Sequence, residues 1–202
     1  MPSLSNERSE PAGAIVLAGG SSSRLGIDKR RLLVDGVPLL EHLCTALRPH
    51  FDQLLVGVDE PERWAYLDAE IVVDARPGVG PLMGLAGCLA RARNDLNFVT
   101  ACDIPRPPLG LVELLLAAAE SRDGAIPIHA NGYIEPLFGV YRRRVLPTIE
   151  RLLDRGERQV RKLYDEHDFA FVALAPLGFD ALPNINTPED LAQLKSLLER
   201  AG

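Results

Sequence analysis

The run Ala14-Ile15-Val16-Leu17-Ala18 is apolar at every position and stops at Gly19-Gly20. An unbroken run of this length, closed by turn residues, predicts a strand buried on both faces, as in a parallel sheet. Residues 53–58, 70–73 and 96–101 repeat the pattern, each in part β-branched or aromatic and each followed by polar or turn residues. Between these runs the period becomes helical. Pro38 opens a segment in which Leu39, Leu43 and Leu47 share a face with Leu40, and Pro81 opens another with Leu82, Leu85, Ala86 and Leu89 at the same spacing. Strands alternating with such helices predict an α/β sheet covered on both faces.

A third helix is expected after Pro107-Pro108, through Leu111, Val112, Leu114, Leu115 and Ala118. The rhythm then changes. Residues 125–128 and 136–141 are short apolar segments separated by too few residues for a crossover helix, so one antiparallel excursion should make the sheet mixed. Residues 169–174 supply another strand. Thr187-Pro188-Glu189-Asp190 opens a last helix with a capping threonine, a proline at the first helical position and acids in the first turn, and Leu191, Leu194 and Leu198 face the core. The expected architecture is a single-domain, Rossmann-like layered α/β fold with a mostly parallel mixed sheet over residues 13–202. Residues 1–12 are expected to be a disordered tail, too polar at the start for a secretory signal.

Composition narrows the function classes. With 202 residues, 47% of them apolar and 25% charged, the chain is neither a fibre nor a disulfide miniprotein. Cys44, Cys88 and Cys102 are odd in number and show no CxxC spacing, which opposes a disulfide framework or structural zinc and fits a reducing, cytoplasmic setting. No apolar run reaches membrane-spanning length, so no membrane partner is expected. A net charge of −6 opposes binding to a nucleic acid polymer. The basic residues cluster once: Arg24, Lys29, Arg30 and Arg31 face only Asp28 between residues 24 and 31, a patch suited to a small polyphosphate.

That patch follows the first strand, in Leu17-Ala18-Gly19-Gly20-Ser21-Ser22-Ser23-Arg24-Leu25-Gly26-Ile27-Asp28-Lys29. Adjacent glycines let successive amides turn toward an anion, Arg24 adds a forked donor and Lys29 a mobile point charge. The spacing is neither that of a Walker A loop nor GxGxxG. Asp103 and Asp74 each follow a predicted strand, at the sheet edge where α/β proteins bind ligands. A lone aspartate such as Asp103, together with nucleotide phosphates, can hold magnesium; as plain structural residues, Asp103 would cap a helix and Asp74 would form a turn.

The stretch LAGGxSxRxGxDK resembles the signature of the molybdenum cofactor guanylyltransferases, a branch of the nucleotidyltransferases of nucleotide-diphospho-sugar transferase type. The likeness continues through Asp74 with Gly80-Pro81-Leu82-Met83-Gly84, Cys102-Asp103-Ile104-Pro105, Glu135-Pro136-Leu137-Phe138-Gly139-Val140-Tyr141 and Asn184-Ile185-Asn186-Thr187-Pro188-Glu189-Asp190. The resemblance implies that Leu17, Ala18, Gly19, Lys29 and Asp74 contact a guanosine nucleotide, with Gly20 in the same loop, and that Asp103 binds both Mg2+ and nucleotide. The family's asparagine in the strand before Asp74 has no counterpart in Gly57-Val58-Asp59.

The implied activity is transfer of GMP from GTP to the phosphate of molybdenum-molybdopterin with release of diphosphate, served by Arg24, Lys29 and Asp103. Transient contact with other molybdenum cofactor biosynthesis proteins is also implied. The alternatives are a cytidylyltransferase for the same acceptor, a nucleotidyltransferase for a sugar or polyol phosphate, and a non-enzymatic nucleotide-binding protein. Of the remaining signals, Asn186 is a weaker candidate near the metal or pterin phosphate than Asp103, with Asn184 beside it. Glu135 and Tyr141 are read as structural. Either Arg142-Arg143-Arg144 or the stretch with Arg158, Arg161 and Lys162 could attract the acceptor's phosphate. His42, His50, His129 and His167 show no metal spacing.

Overall fold

A computed structural model describes residues 10–19, 28–34, 36–76, 78–178, 182, 184, 185 and 190. Gly20, Arg24, Asn186 and the expected last helix, apart from Asp190, lie outside the described residues. The strands are β1 (Ala12–Leu17), β2 (Leu33–Val34), β3 (Val37–Pro38), β4 (Gln53–Val58), β5 (Glu70–Val73), β6 (Leu96–Ala101), β7 (Gly124–Ile128), β8 (Phe138–Arg142) and β9 (Phe169–Ala173). The α-helices are α1 (Leu39–Leu47), α2 (Pro81–Arg91), α3 (Leu109–Ala118) and α4 (Leu146–Asp154).

Seven strands form one sheet in the order β5-β4-β1-β6-β8-β7-β9, while β2 and β3 pair as a separate hairpin. β1 is parallel to both β4 and β6, and β8 runs antiparallel between β6 and β7. The expected mixed sheet with one reversed strand is therefore present. All six residues of β1 are buried. Its alternation feeds two cores: Ala12, Ala14 and Val16 pack with Leu40 and Leu43 of α1 and Leu111 and Leu115 of α3, whereas Ile15 and Leu17 pack with Leu82 and Leu85 of α2 and Ile149 and Leu152 of α4. Helices on both faces explain why this strand has no polar position.

The three-arginine run divides in a way its sequence does not announce. Arg142 ends β8 and is buried, donating to Asp95 Oδ2 (2.7 Å) and Glu120 O (2.6 Å) and pairing with Glu10. Arg144 pairs with Asp123 at 2.5 Å. Arg142 is thus a structural clamp, and it ties down residue 10. Ala12 pairs with Leu96, so residues 10–12, assigned to the tail on polarity, belong to the folded body. Among the described residues no helix is long and apolar enough to cross a membrane.

Candidate active site

Three backbone bonds carry the sheet past its strand ends. The Ala18 amide donates to the Gly57 carbonyl (2.9 Å), the Asp74 amide to the Val58 carbonyl (3.0 Å) and the Cys102 amide to the Leu17 carbonyl (3.3 Å). They fix where Gly19, Asp74 and Asp103 leave the sheet. At this edge, where α1 and α2 depart to opposite faces, opens a cavity of about 430 Å³ lined by Leu17, Gly19, Lys29, Arg30, Asp74, Gly80, Pro81, Gly84 and Asp103 among others. Five sequence candidates therefore meet: Leu17, Gly19, Lys29, Asp74 and Asp103. Ala18 does not line the cavity; its side chain is buried, its amide is spent on Gly57, and its carbonyl accepts from Arg30.

A second cavity, of about 550 Å³, adjoins the first and shares Pro81, Ala101, Asp103 and Leu137 with it. Its outer wall carries Tyr133, Glu135, Arg158, Arg161 and Asn184. Asp103 borders both spaces. Its carbonyl accepts from the Ile185 amide (2.8 Å), which holds the segment with Asn184 beside it. Among the described residues the buried Asn184 Oδ1 has no hydrogen-bond partner, an arrangement that costs about 1–3 kcal/mol when nothing else binds it.

The carboxylates sit in an environment that disfavours their charge. Burial pushes the Asp103 carboxyl above the ordinary range, and nearby Lys29 and the residue's own amide pull it part of the way back. Burial raises Asp74 as well, and the negative Asp59 adds to the shift. The Cys102 thiol is pushed up to about 12, first by burial and then by Asp103, so it lines the cavity as a neutral group and not as a nucleophile.

Asp74 also accounts for two glycines. A Cβ on Gly19 would stand 2.7 Å from Asp74 Oδ2, and one on Gly84 would stand 3.2 Å from Asp74 Oδ1. Gly19 is therefore required by the approach of a carboxylate rather than by a left-handed backbone; Gly78 and Gly80, at φ 81° and 115°, are the glycines lining this cavity that need conformational freedom. Replacing Gly19 with alanine should push the Asp74 carboxylate out of its place on the cavity wall with the melting temperature little changed, as a crystal structure of the variant and thermal denaturation would show.

Arg30 was legible in the sequence only as part of a basic patch. Its Nε and Nη2 donate to the two oxygens of Asp28 (2.8 and 3.0 Å), and its Nη1 donates to the Ala18 carbonyl (2.9 Å) and pairs with Asp59. Asp59 therefore joins Asp28 in facing the cluster, and the patch carries less surplus charge than its sequence suggests. Of the structural candidates, the Tyr141 hydroxyl donates to the Pro136 carbonyl (2.6 Å) and is buried, whereas Glu135 reaches the second cavity with its Oε1 2.9 Å from His129 Nε2.

The family model described as the MobA-like NTP transferase domain matches residues 14–170. The chain belongs to this family. Among its relatives is a "Probable molybdenum cofactor guanylyltransferase" of Carboxydothermus hydrogenoformans, 33% identical over 89% of this chain and 92% of the relative. The molybdenum cofactor guanylyltransferase of Vibrio cholerae is 32% identical over 91% of each chain. The molybdopterin-guanine dinucleotide biosynthesis protein A of Archaeoglobus fulgidus shares the fold, with a TM-score of 0.78, 24% identity and coverage of 93% of this chain and 99% of that one. In this MobA-like NTP transferase domain, two adjoining cavities open at the carboxyl edge of the sheet.

Proposed function

We propose that this nucleotidyltransferase acts in molybdenum cofactor biosynthesis, transferring GMP from GTP to the terminal phosphate of molybdenum-bearing molybdopterin and releasing diphosphate. The observation that carries the reading is the meeting of the two cavities at Asp103. The nucleotide occupies the space beside Gly19, Lys29 and Asp74, and the acceptor occupies the larger space, its phosphate drawn by Arg158 and Arg161. Kinship with guanylyltransferases over nine-tenths of the chain supports the choice of donor and acceptor.

Charge and donor chemistry fit Mg2+. Among the described lining residues Lys29 and Arg30 balance Asp74 and Asp103, and Arg30 is already engaged by Asp28 and Asp59. A triphosphate entering this space needs further positive charge. Asp103 offers a hard carboxylate and Asn184 an amide oxygen unpartnered among the described residues, which contain no group of three or more His, Cys, Asp and Glu side chains able to hold a metal. Magnesium suits so sparse a set because it keeps waters and takes phosphate oxygens as ligands. When bound, it neutralises charge growing on the phosphate oxygens.

The chain's own residues then do three things. Arg158 and Arg161 hold the acceptor so that its phosphate oxygen faces the α-phosphorus. Asp74 accepts hydrogen bonds from the nucleoside, and Lys29 sits beside the phosphates as a cation. A new bond forms from the acceptor oxygen to the α-phosphorus; the bond from the α-phosphorus to the bridging oxygen breaks, and its electron pair leaves with diphosphate. The acceptor phosphate, with a second pKa of about 6, is largely dianionic at neutral pH, so no general base is required. GTP, CTP and ATP supplied in parallel with molybdenum-bearing molybdopterin and magnesium test the reading. Diphosphate release is expected with GTP foremost. Preference for CTP makes the chain a cytidylyltransferase, and nucleotide binding without product overturns the enzymatic reading.

A further inference from the structure

β1 ends at Leu17, and one side chain joins the Ala18 carbonyl just past it to Asp28. Arg30 forks onto both oxygens of Asp28 at 2.8 and 3.0 Å, donates to the Ala18 carbonyl at 2.9 Å, and pairs with Asp59 just past β4. Its own amide donates to Asp28 Oδ1 at 3.1 Å, which caps the single 3-10 turn Lys29–Arg31. The side chain is 7% exposed, so this cation is held away from water between two carboxylates. A guanidinium so fully engaged has little left to give a substrate.

We infer that Arg30 is a positioning residue for nucleotidyl transfer: it fixes the 3-10 turn against the ends of β1 and β4 so that the neighbouring Lys29 faces Asp103 across the cavity. The inference rests on the reading given above. Lys29 and Asp103 line the same space and feel each other's charge, while Arg30 anchors the 3-10 turn that carries Lys29. The fork is what makes the anchor specific. A lysine at position 30 would retain the charge and lose the parallel bonds that orient Asp28, so it cannot bridge both ends of the loop and Asp59 together.

A mutant cycle in kcat/KM for GTP, with magnesium and acceptor, separates positioning from bulk stability. Arg30→Lys is expected to lower kcat/KM by about tenfold in the wild-type background and by less than about twofold when Lys29→Ala is already present, because its effect passes through Lys29. Asp59→Asn, which leaves the fork to Asp28 in place, should show the same coupling with a smaller loss and carries the cycle if Arg30→Lys does not fold. Equal losses in both backgrounds, or no loss in either, overturn the inference while leaving the enzyme's function standing. Calorimetric titration of the wild-type chain that detects no binding of GTP, CTP or ATP overturns both together.

Discussion

Asp103→Ala is expected to cut GTP-dependent diphosphate release by about a hundredfold to a thousandfold while leaving the chain folded. The residue borders both cavities and follows β6, whose own residues Phe98 and Val99 are fully buried; its side chain contributes to the site rather than to either core. Burial holds its carboxyl above the ordinary range. The folded chain therefore binds that proton more tightly than the unfolded chain: the stabilisation this gives is complete below the ordinary carboxylate range, is lost as pH rises through the raised pKa, and changes no further above it. At neutral pH the ionised group is a burden on the fold, so Asp103→Asn should hold or raise the melting temperature while losing activity. The acid limb of turnover in the wild type should lie above the usual carboxylate range and move down when magnesium is raised, since the ion competes with the proton. Circular dichroism beside the release assay checks both halves. Undiminished magnesium-dependent turnover in the variant would remove Asp103 from its role.

The contrast between Asp103 and Arg30 shows what a sequence exposes. Strands over residues 53–58, 70–73 and 96–101 are readable to the residue because each is buried on its core-facing side and ends at turn-forming or polar positions. Asp103 and Asp74 are readable because they stand immediately after such runs. The hairpin of β2 and β3 escapes, since two residues per strand make no pattern, although Asp35-Gly36 between apolar residues is a known turn signal. Helix α4 is legible only at its start: the arginine run reads as the solvated beginning of a helix, and α4 follows at Leu146 with Ile149, Leu152 and Leu153 at the helical spacing. Arg30 is harder in kind. Its partner Asp59 lies 29 residues away and reaches it only because β4 lies beside β1. The basic stretch at Arg158 and Arg161 was distinguishable from Arg142-Arg143-Arg144 only through the same tertiary placement, which sends one to a cavity wall and buries Arg142 against Asp95 and Glu10.

Lys29→Ala should lower kcat/KM for GTP by about tenfold to a hundredfold, the range for losing one charged hydrogen-bonding partner of a phosphate. How the loss divides between binding and turnover identifies what the cation does. A lysine that merely attracts a triphosphate acts equally on the ground and transition states, so its removal raises KM and spares kcat; one that meets charge leaving with diphosphate lowers kcat as well. The location favours the second outcome. Lys29 shares its cavity with Asp74 and Asp103, whose carboxylates oppose a resting polyanion, and it lies close enough to Asp103 to draw that carboxyl down. Its charge therefore gains most when phosphate charge increases nearby. Lys29→Arg keeps the charge but spreads it over a planar fork, and should recover binding more fully than turnover. Titration of GTP by calorimetry, set beside steady-state rates at two ionic strengths, checks the division: a surface attraction would fade with salt, whereas a contact inside the cavity would persist. Loss of affinity alone, erased by salt, would return Lys29 to the role of a surface charge that gathers nucleotide and takes no part in its transfer.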